Sequence, residues 1–600
     1  MGWKAISPTA GKLINVSEAN ELKRIVSEID SVSIAEKIHK FSTFGSRVTG
    51  YKGAEETANF IFDNFKKIGL RDIKREEFKV TVPVDKGGTL KVAATREKFQ
   101  IYSLWPNGVR TSTLPEKGVT GPLVYGGKGS LRDLDGKPIE DSIILLDFDS
   151  GQNYLNAATL GAAAIVFFDN GGVNREQASD KFLKVSVDIP RFWIDREHAL
   201  SLINSVVEKS GEVHLNARMD WKEVSAENIY GWIPGNSDKM PLKTREFAQN
   251  WEDQTIVVQA YYDAISVVPA ISPGAESSIN IVALLEIAEI LRKANPNYSI
   301  LFLATAGHFQ GLAGINDFVY RHSRGSSYFD EKMSEDQKID FDIMFNLDLS
   351  SRSRQSIAFG IGTFYNPEWK TDSYVKYMLT PYSKRLSAVV KEVFLDSTRH
   401  IEGLAPAKRT WKNYMPVPLA FASEAVQFVG KKALTFSTPN DTRPLIDTPL
   451  DEPQFINISN VKSQLENIAT MLVWGSKDSD LLKPTKLELE DYGHSLGGAI
   501  YWFDRDVNFA VPKSPVNEAL VTYQQMGGNS VGGVRTLILD QADENGRFRF
   551  DIMRNRYSNT IKAYEIGRSG NIISAPDMGQ DGNETYPMEH DWGWWENEML

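Results

Sequence analysis

A chain of 600 residues is too long for one ordinary core, so about two to four domains are expected. Seventy-eight acidic against 67 basic residues give a formal charge of −11. That argues against nucleic acid as a partner, because phosphate binding needs a basic surface. The absence of cysteine excludes disulfides, thiolate metal sites and cysteine nucleophiles.

No run of about 18 apolar residues is present, so no membrane span is expected. The opening "MGWKAISPTAGK" has no apolar segment of the signal-peptide kind. "SEANELKRIVSEID" then reads as a helix with Ser17 at its cap. "GAEETANFIFDNFKKIGL" reads as a second amphipathic helix ending at Gly69, after the glycine-rich loop "FGSRVTGYKG".

Residues 111–222 read as a separate unit. "GPLVYGG" and "DSIILLDFD" are short apolar strands, and "NYLNAATLGAAAIVFFDN" is a small-residue helix running into a strand. "VDIPRFWIDREHALSLINSV" repeats that pattern. From about 225 the alternation becomes regular: "QTIVVQAYYDA", "YSILFLATA" and "FDIMFNLDLS" as strands, "ESSINIVALLEIAEILRKA" and "QGLAGINDFVYRH" as helices. This rhythm implies an α/β domain, a mixed sheet with helices on both faces. "QFINISNVKSQLENIATMLVWG" is its closing helix. Beyond "SKDSDLLKPTK" short alternating strands and turn clusters predict a β-sandwich over 484–575, with a tail at 576–600.

The order of these pieces resembles the di-zinc aminopeptidase family that includes glutamate carboxypeptidase and the transferrin receptor. "FGSRVTGYKGAEETANFI" resembles its N-terminal segment, and "IEDSIILLDFDSGQNYLNAATLGAAAIVFFDN" its protease-associated insert. "DTPLDEPQFINISNVKSQLENIA" resembles its end, and the last region resembles a carboxypeptidase regulatory-like sandwich. The resemblance implies a zinc-exopeptidase-like domain over 1–110 and 223–480, interrupted by the insert at 111–222.

Such a site needs two zinc ions held by nitrogen and oxygen donors, a bridging water and a carboxylate base. The resemblance places these groups at five points. In "AYYDA", Tyr261 stands where the family has a histidine, and Asp263 is kept. In "SPGAESSIN", Ser277 stands at the bridging aspartate, with Glu276 before it. In "GHFQGL", His308 replaces the general base and Phe309 a ligand. "NLD" keeps its aspartate as Asp348, and "LIDTPLD" puts Asp447 where a histidine belongs. Phenylalanine has no donor atom, and uncharged serine and tyrosine are poor zinc ligands. The substitutions therefore argue against di-zinc peptidase chemistry.

Two readings remain for the polar residues. Asp348, Asp447, Asp263 and His308 could hold one divalent cation, or they could pair with backbone amides and basic side chains. A cleft lined by Tyr261, Asp263, Ser277, His308 and Phe309 would suit a ligand held by packing and hydrogen bonds. The expected function is that of a non-catalytic relative without a cofactor, binding a protein or peptide, as an oligomer or a subunit of an assembly. The alternative is an active metal-dependent aminopeptidase using zinc. The family's habits point to an extracytoplasmic home.

Two further motifs compete. "GHSLGG" fits a nucleophile elbow around Ser495, but "KLELEDY" before it is half charged and "AIYWFDRD" after it is strand-like. The only later histidine is His590, and a turn opening the sandwich is the plainer expectation. "DQADENGRF" lacks EF-hand spacing and predicts a hairpin turn at Asn545-Gly546.

Overall fold

The computed structural model describes residues 13–209, 211–236, 255–323, 339, 341–364, 379–404, 414–478, 493–503, 512–525, 538–553, 559–566, 572–574, 577–580 and 592–599. Of the tail, residue 576, residues 581–591 with His590, and Leu600 lie outside these residues.

The first helix, α1 (Val16–Val26), starts one residue after Asn15, not at Ser17. The Asn15 side chain accepts the Glu18 N–H at 2.9 Å, and the Glu18 carboxylate accepts the Asn15 N–H at 2.9 Å. This reciprocal box satisfies two donors that Ser17, inside the first turn, could not. A helix not foreseen, α2 (Ser31–Thr43), follows behind its Asp30 cap. Helix α3 (Lys52–Ile68) ends, as expected, at Gly69 in the left-handed conformation, φ 85°.

Seven strands come next: β1 (Arg71–Val92), β2 (Lys98–Ser103), β3 (Val119–Tyr125), β4 (Ile143–Asp147), β5 (Ala164–Phe168), β6 (Arg191–Trp193) and β7 (Glu212–Ile233). Their pairing runs β1-β2-β6-β5-β4-β3-β7, and β7 pairs back onto β1, so the strands close into a ring. The ring contains most of the segment read as an insert, and strand β2, ahead of residue 111, is part of it. Strands β4 and β5 are wholly buried, which explains their uninterrupted apolar sequence.

Beyond the ring, β7 continues into the main sheet. It pairs antiparallel with β9 (Ser299–Thr305), which lies parallel to β8 (Thr255–Tyr261). The order then runs β8, β10 (Ile343–Asp348), β13 (Lys432–Ser437), β11 (Ser356–Phe359), β12 (His400–Leu404). Alternate residues feed two cores, as strand geometry requires. Ile256, Val258 and Ala260 pack with helices α2, α3, Ala275–Ala294 and Ile458–Gly475. Val257, Leu301, Leu303 and Met344 pack with helices Ala313–Ser323 and Ala422–Phe428. The fold is therefore the expected mixed α/β sheet with helices on both faces.

The C-terminal strands are β14 (Gly493–Phe503), β15 (Pro512–Pro515), β16 (Leu520–Gln525), β17 (Ile538–Gln541), β18 (Arg547–Met553), β19 (Asn559–Ile566), β20 (Ile572–Ser574), β21 (Asp577–Gln580) and β22 (Trp592–Met599). Strands β15, β18 and β22 pair with β14, while β17, β16, β19, β20 and β21 form a second antiparallel sheet. Ile500, Phe548 and Phe550 from the first meet Val521, Tyr523, Ile561 and Ala563 from the second in one core. "GHSLGG" is neither an elbow nor a turn. It lies in paired strand β14, with Ser495 opposite Asp551, because glycines are no obstacle where a long partner strand supplies the ladder. The hairpin turn at Asn545-Gly546 forms, with Gly546 at φ 74°, closed by Gly546 N–H donating to the Asp543 carbonyl and Asp543 N–H to the Arg547 carbonyl, both at 2.9 Å. It links β17 of one sheet to β18 of the other.

Candidate functional site

Parallel strands aim the residues that follow them at one edge of the sheet. Tyr261 ends β8 and Asp263 lies two residues on. The turn after β9, opened by Gly307 at φ 65°, presents His308 and Phe309. Asp348 ends β10, and Asp447, itself at φ 70°, lies beyond β13. Glu276 and Ser277 sit in the first turn of helix Ala275–Ala294. That helix starts so close to the β8 loop that a Cβ on Gly274 would stand 2.6 Å from that of Ala264. The five points of the resemblance thus meet in space.

What they form is not an open cleft. Tyr261, Asp263, Ser277, His308, Phe309, Asp348 and Asp447 are each 6% exposed or less. The ligand cleft expected from the sequence is filled by its own side chains. The Tyr261 and His308 rings stack, centroids 3.9 Å apart and planes 20° apart. Phe309 stands edge-on to both, at 5.7 Å from Tyr261 and 4.9 Å from His308. Burial pushes the His308 imidazole down to about 4, against the pull of Asp348, so the ring is neutral near pH 7. Burial also drives the Tyr261 phenol well above its usual range.

The expected metal ligands Asp348 and Asp447 each face an arginine. Arg443 Nη1 lies 2.6 Å from Asp348 Oδ1, and Arg443 Nη2 donates to the Asp348 carbonyl at 2.9 Å. Both side chains are 2% exposed. Burial works against the charge on Arg443, but Asp348 outweighs it and the guanidinium is held above its usual range. The Arg443 N–H donates to Asp441 Oδ1 at 2.8 Å, and Arg352 N donates to the other oxygen at 3.0 Å. Asp447 Oδ2 lies 3.5 Å from Nε of Arg175, which comes from the ring.

Behind this layer the carboxyl groups are held differently. Asp263 Oδ2 accepts the Thr49 hydroxyl and the His308 N–H, both at 3.1 Å, while Oδ1 has no hydrogen-bond partner among the described residues. Glu276 accepts the Ser351 N–H and, at 3.1 Å, its hydroxyl. Asp451 accepts the Glu276 N–H at 3.0 Å. Burial raises Asp263 and Glu276 to about 7 each, and Asp451 well above its ordinary range. Arg47 donates to the carbonyls of Tyr262, at 3.0 Å, and Gly274. Burial brings it down to about 10 despite Asp451 and Asp263. The Ser277 hydroxyl is buried with no hydrogen-bond partner among the described residues.

Among the described residues no three His, Asp or Glu side chains converge to hold one ion. The donor set does not fit a di-zinc centre: a ring without a donor atom, a stacked imidazole, and two carboxylates each facing a guanidinium. Asp348 and Asp447 face basic side chains, and Asp263 accepts an amide and a hydroxyl. Arg443, Arg175, Arg47 and Asp451 were not anticipated as part of the site.

Residues 243–471 match Peptidase family M28. Over 222 residues the chain is 26% identical to nicalin from Caenorhabditis elegans, a match covering 34% of this chain and 36% of that protein. Thus only about a third of nicalin's length is spanned. Among solved structures, the zinc aminopeptidase BSAP from Bacillus subtilis is 18% identical, with a TM-score of 0.47 over 74% of this chain and 94% of that one. A Peptidase M28 precursor from Shewanella amazonensis is 15% identical, with a TM-score of 0.47 over 79% and 99%.

Proposed function

We propose that this chain, whose central region is related to peptidase family M28, is a non-catalytic relative of the di-zinc peptidases. It keeps their scaffold as a surface for a protein or peptide partner or for assembly, and works without a metal cofactor. One observation carries this reading: the single retained ligand position, Asp348, is engaged by the buried Arg443 guanidinium at 2.6 Å. A metal at that oxygen would have to displace a fixed cation, and two like charges at one carboxylate in a water-poor site repel strongly. The chemistry also lacks its other parts. Hydrolysis by such a site needs a metal-activated water and a base to take its proton. The group at the base position, His308, is buried and stacked on Tyr261.

No helix among the described residues is long and apolar enough to cross a membrane. An extracytoplasmic location is part of the proposal and rests on the relation to the family.

Elemental analysis of the full-length protein, purified without chelator, tests this reading together with an aminopeptidase assay on aminoacyl chromogenic amides. No stoichiometric transition metal and no chelator-sensitive turnover are expected. About two zinc ions per chain with turnover abolished by chelator, the signature of a co-catalytic centre, would overturn it.

A further inference from the structure

The aromatic residues that stand in for metal ligands pack beyond the main sheet. Tyr261 and Phe309 belong to one buried cluster with Trp105, Phe148, Phe167 and Trp193, all from the ring. The backbones are tied at the same place. The Trp105 N–H donates to the Val267 carbonyl at 2.7 Å, and the Arg175 N–H to the Pro444 carbonyl at 2.7 Å. The Arg175 side chain then reaches the Pro418 carbonyl at 3.4 Å and Asp447 at 3.5 Å. The loop that receives it is tightly wound. Asn440, Arg443 and Asp447 have φ of 58°, 48° and 70°, a conformation non-glycine residues adopt only when their surroundings impose it.

We propose that the cleft assigned by resemblance to two metal ions is here the joint that fastens the ring to the main sheet. Arg443 and Arg175 are chain-borne cations that hold Asp348 and Asp447, and Tyr261 and Phe309 are the apolar half of the joint. The ring is then a fixed part of one composite surface and not a lid that opens over the sheet edge. Any partner meets that composite surface from outside. The inference deepens the non-catalytic reading and rests on it, because a joint that must open for substrate could not be sealed in this way.

Hydrogen–deuterium exchange on the full-length protein tests the joint. In Arg175→Met, exchange at the Trp105 and Val267 amides should rise by roughly tenfold or more, since the change removes the guanidinium that faces the buried Asp447. The amides of β11, at the far side of the sheet, should keep wild-type rates. Adding Asp447→Asn to Arg175→Met should bring protection back, because the buried charge is then gone. Arg175→Lys keeps a charge without the planar fork and should open the joint less than Arg175→Met. Wild-type rates in Arg175→Met would overturn the joint, and equal rates in the Met and Lys variants would overturn the role assigned to the charge. Chelator added to the wild type should change nothing. Opening by chelator, with metal found in the same sample, would overturn the non-catalytic reading, whereas unchanged exchange in Arg175→Met with no metal bound would overturn the joint alone.

Discussion

Two layers of the same site, a few residues apart along each strand end, handle buried carboxyl groups in opposite ways. In the front layer Asp348 and Asp447 face guanidinium groups, and their charge is answered by charge. In the back layer Asp263, Glu276 and Asp451 are held by amide N–H groups and hydroxyls. Burial raises all three, so a proton takes the part that arginine plays in front. A frame that resembles one built around metal ions can thus lose them by two routes, a fixed cation or a bound proton. The two routes predict different sensitivities to substitution and to pH.

The largest effect should come from breaking the front layer. Arg443→Met leaves Asp348 charged and buried, which costs about 3 to 5 kcal/mol in such sites and is measured by urea unfolding. Asp348→Leu added to it should recover most of that loss, because an apolar pair of similar volume is often neutral. Failure to recover would mean that the Arg443 Nη2 bond to the Asp348 carbonyl, and not the charge pair, holds the loop.

The back layer should show itself in pH. Asp263 binds its proton up to about 7 when folded, against an ordinary 3.8, and Glu276 up to about 7 against 4.5. The folded chain therefore retains protons that the unfolded chain releases, and stability falls as pH rises through that window. Between pH 5 and 8 each group should contribute a loss on the order of 2 kcal/mol. Asp263→Asn, which mimics the protonated form, should flatten the slope and raise stability at pH 8. A variant with the wild-type slope would remove Asp263 from the account.

His308 gives an effect of opposite sign. Its ring, pushed by burial to about 4 from 6.5, stays neutral when folded, so stability should fall as pH drops from about 6.5 towards 4. The loss is on the order of 2 kcal/mol, and a ring titration followed by NMR should show no protonation above about pH 5. Protonation near 6.5 would mean that the stack with Tyr261 is open to water.

Much of the frame could be read in the sequence because it rests on local periodicity. Strands β8, β9 and β10 are mostly apolar and buried along their length, and helix Ala275–Ala294 is buried except at Glu289, Arg292 and Lys293. The substitutions at Tyr261, Ser277, His308 and Phe309 were legible only through the resemblance, whose motifs place a ligand or a base at each of these positions. The arginines were not. Arg443 meets Asp348 from 95 residues away, and Arg175 meets Asp447 from inside the ring, so nothing local marks either as a counter-ion. The small misreadings share one cause. Ser17 and Asn15 are both good caps, and only the Glu18 side chain reaching back chooses between them. Likewise the glycines around Ser495 suggest a turn until a long partner strand is supplied.

Strands β1 and β7 run 22 residues each, and at about 3.3 Å per residue each extends for about 70 Å. They are shared without interruption by the ring and the main sheet, and they behave as a two-ply beam, not as a pair of linkers. A push at the distal end of the ring is carried along this beam to the sheet as twist. Of its two register shifts, Arg71/Lys74 at one end and Asp85/Gly88 in mid-span, the second is a soft point where the ladder skips and the strand can bend. Asp85 stiffens that point by accepting the Ser103 N–H and hydroxyl at 3.0 and 3.1 Å. Loads applied to the outer face should therefore be felt first at Asp85 and Ser103.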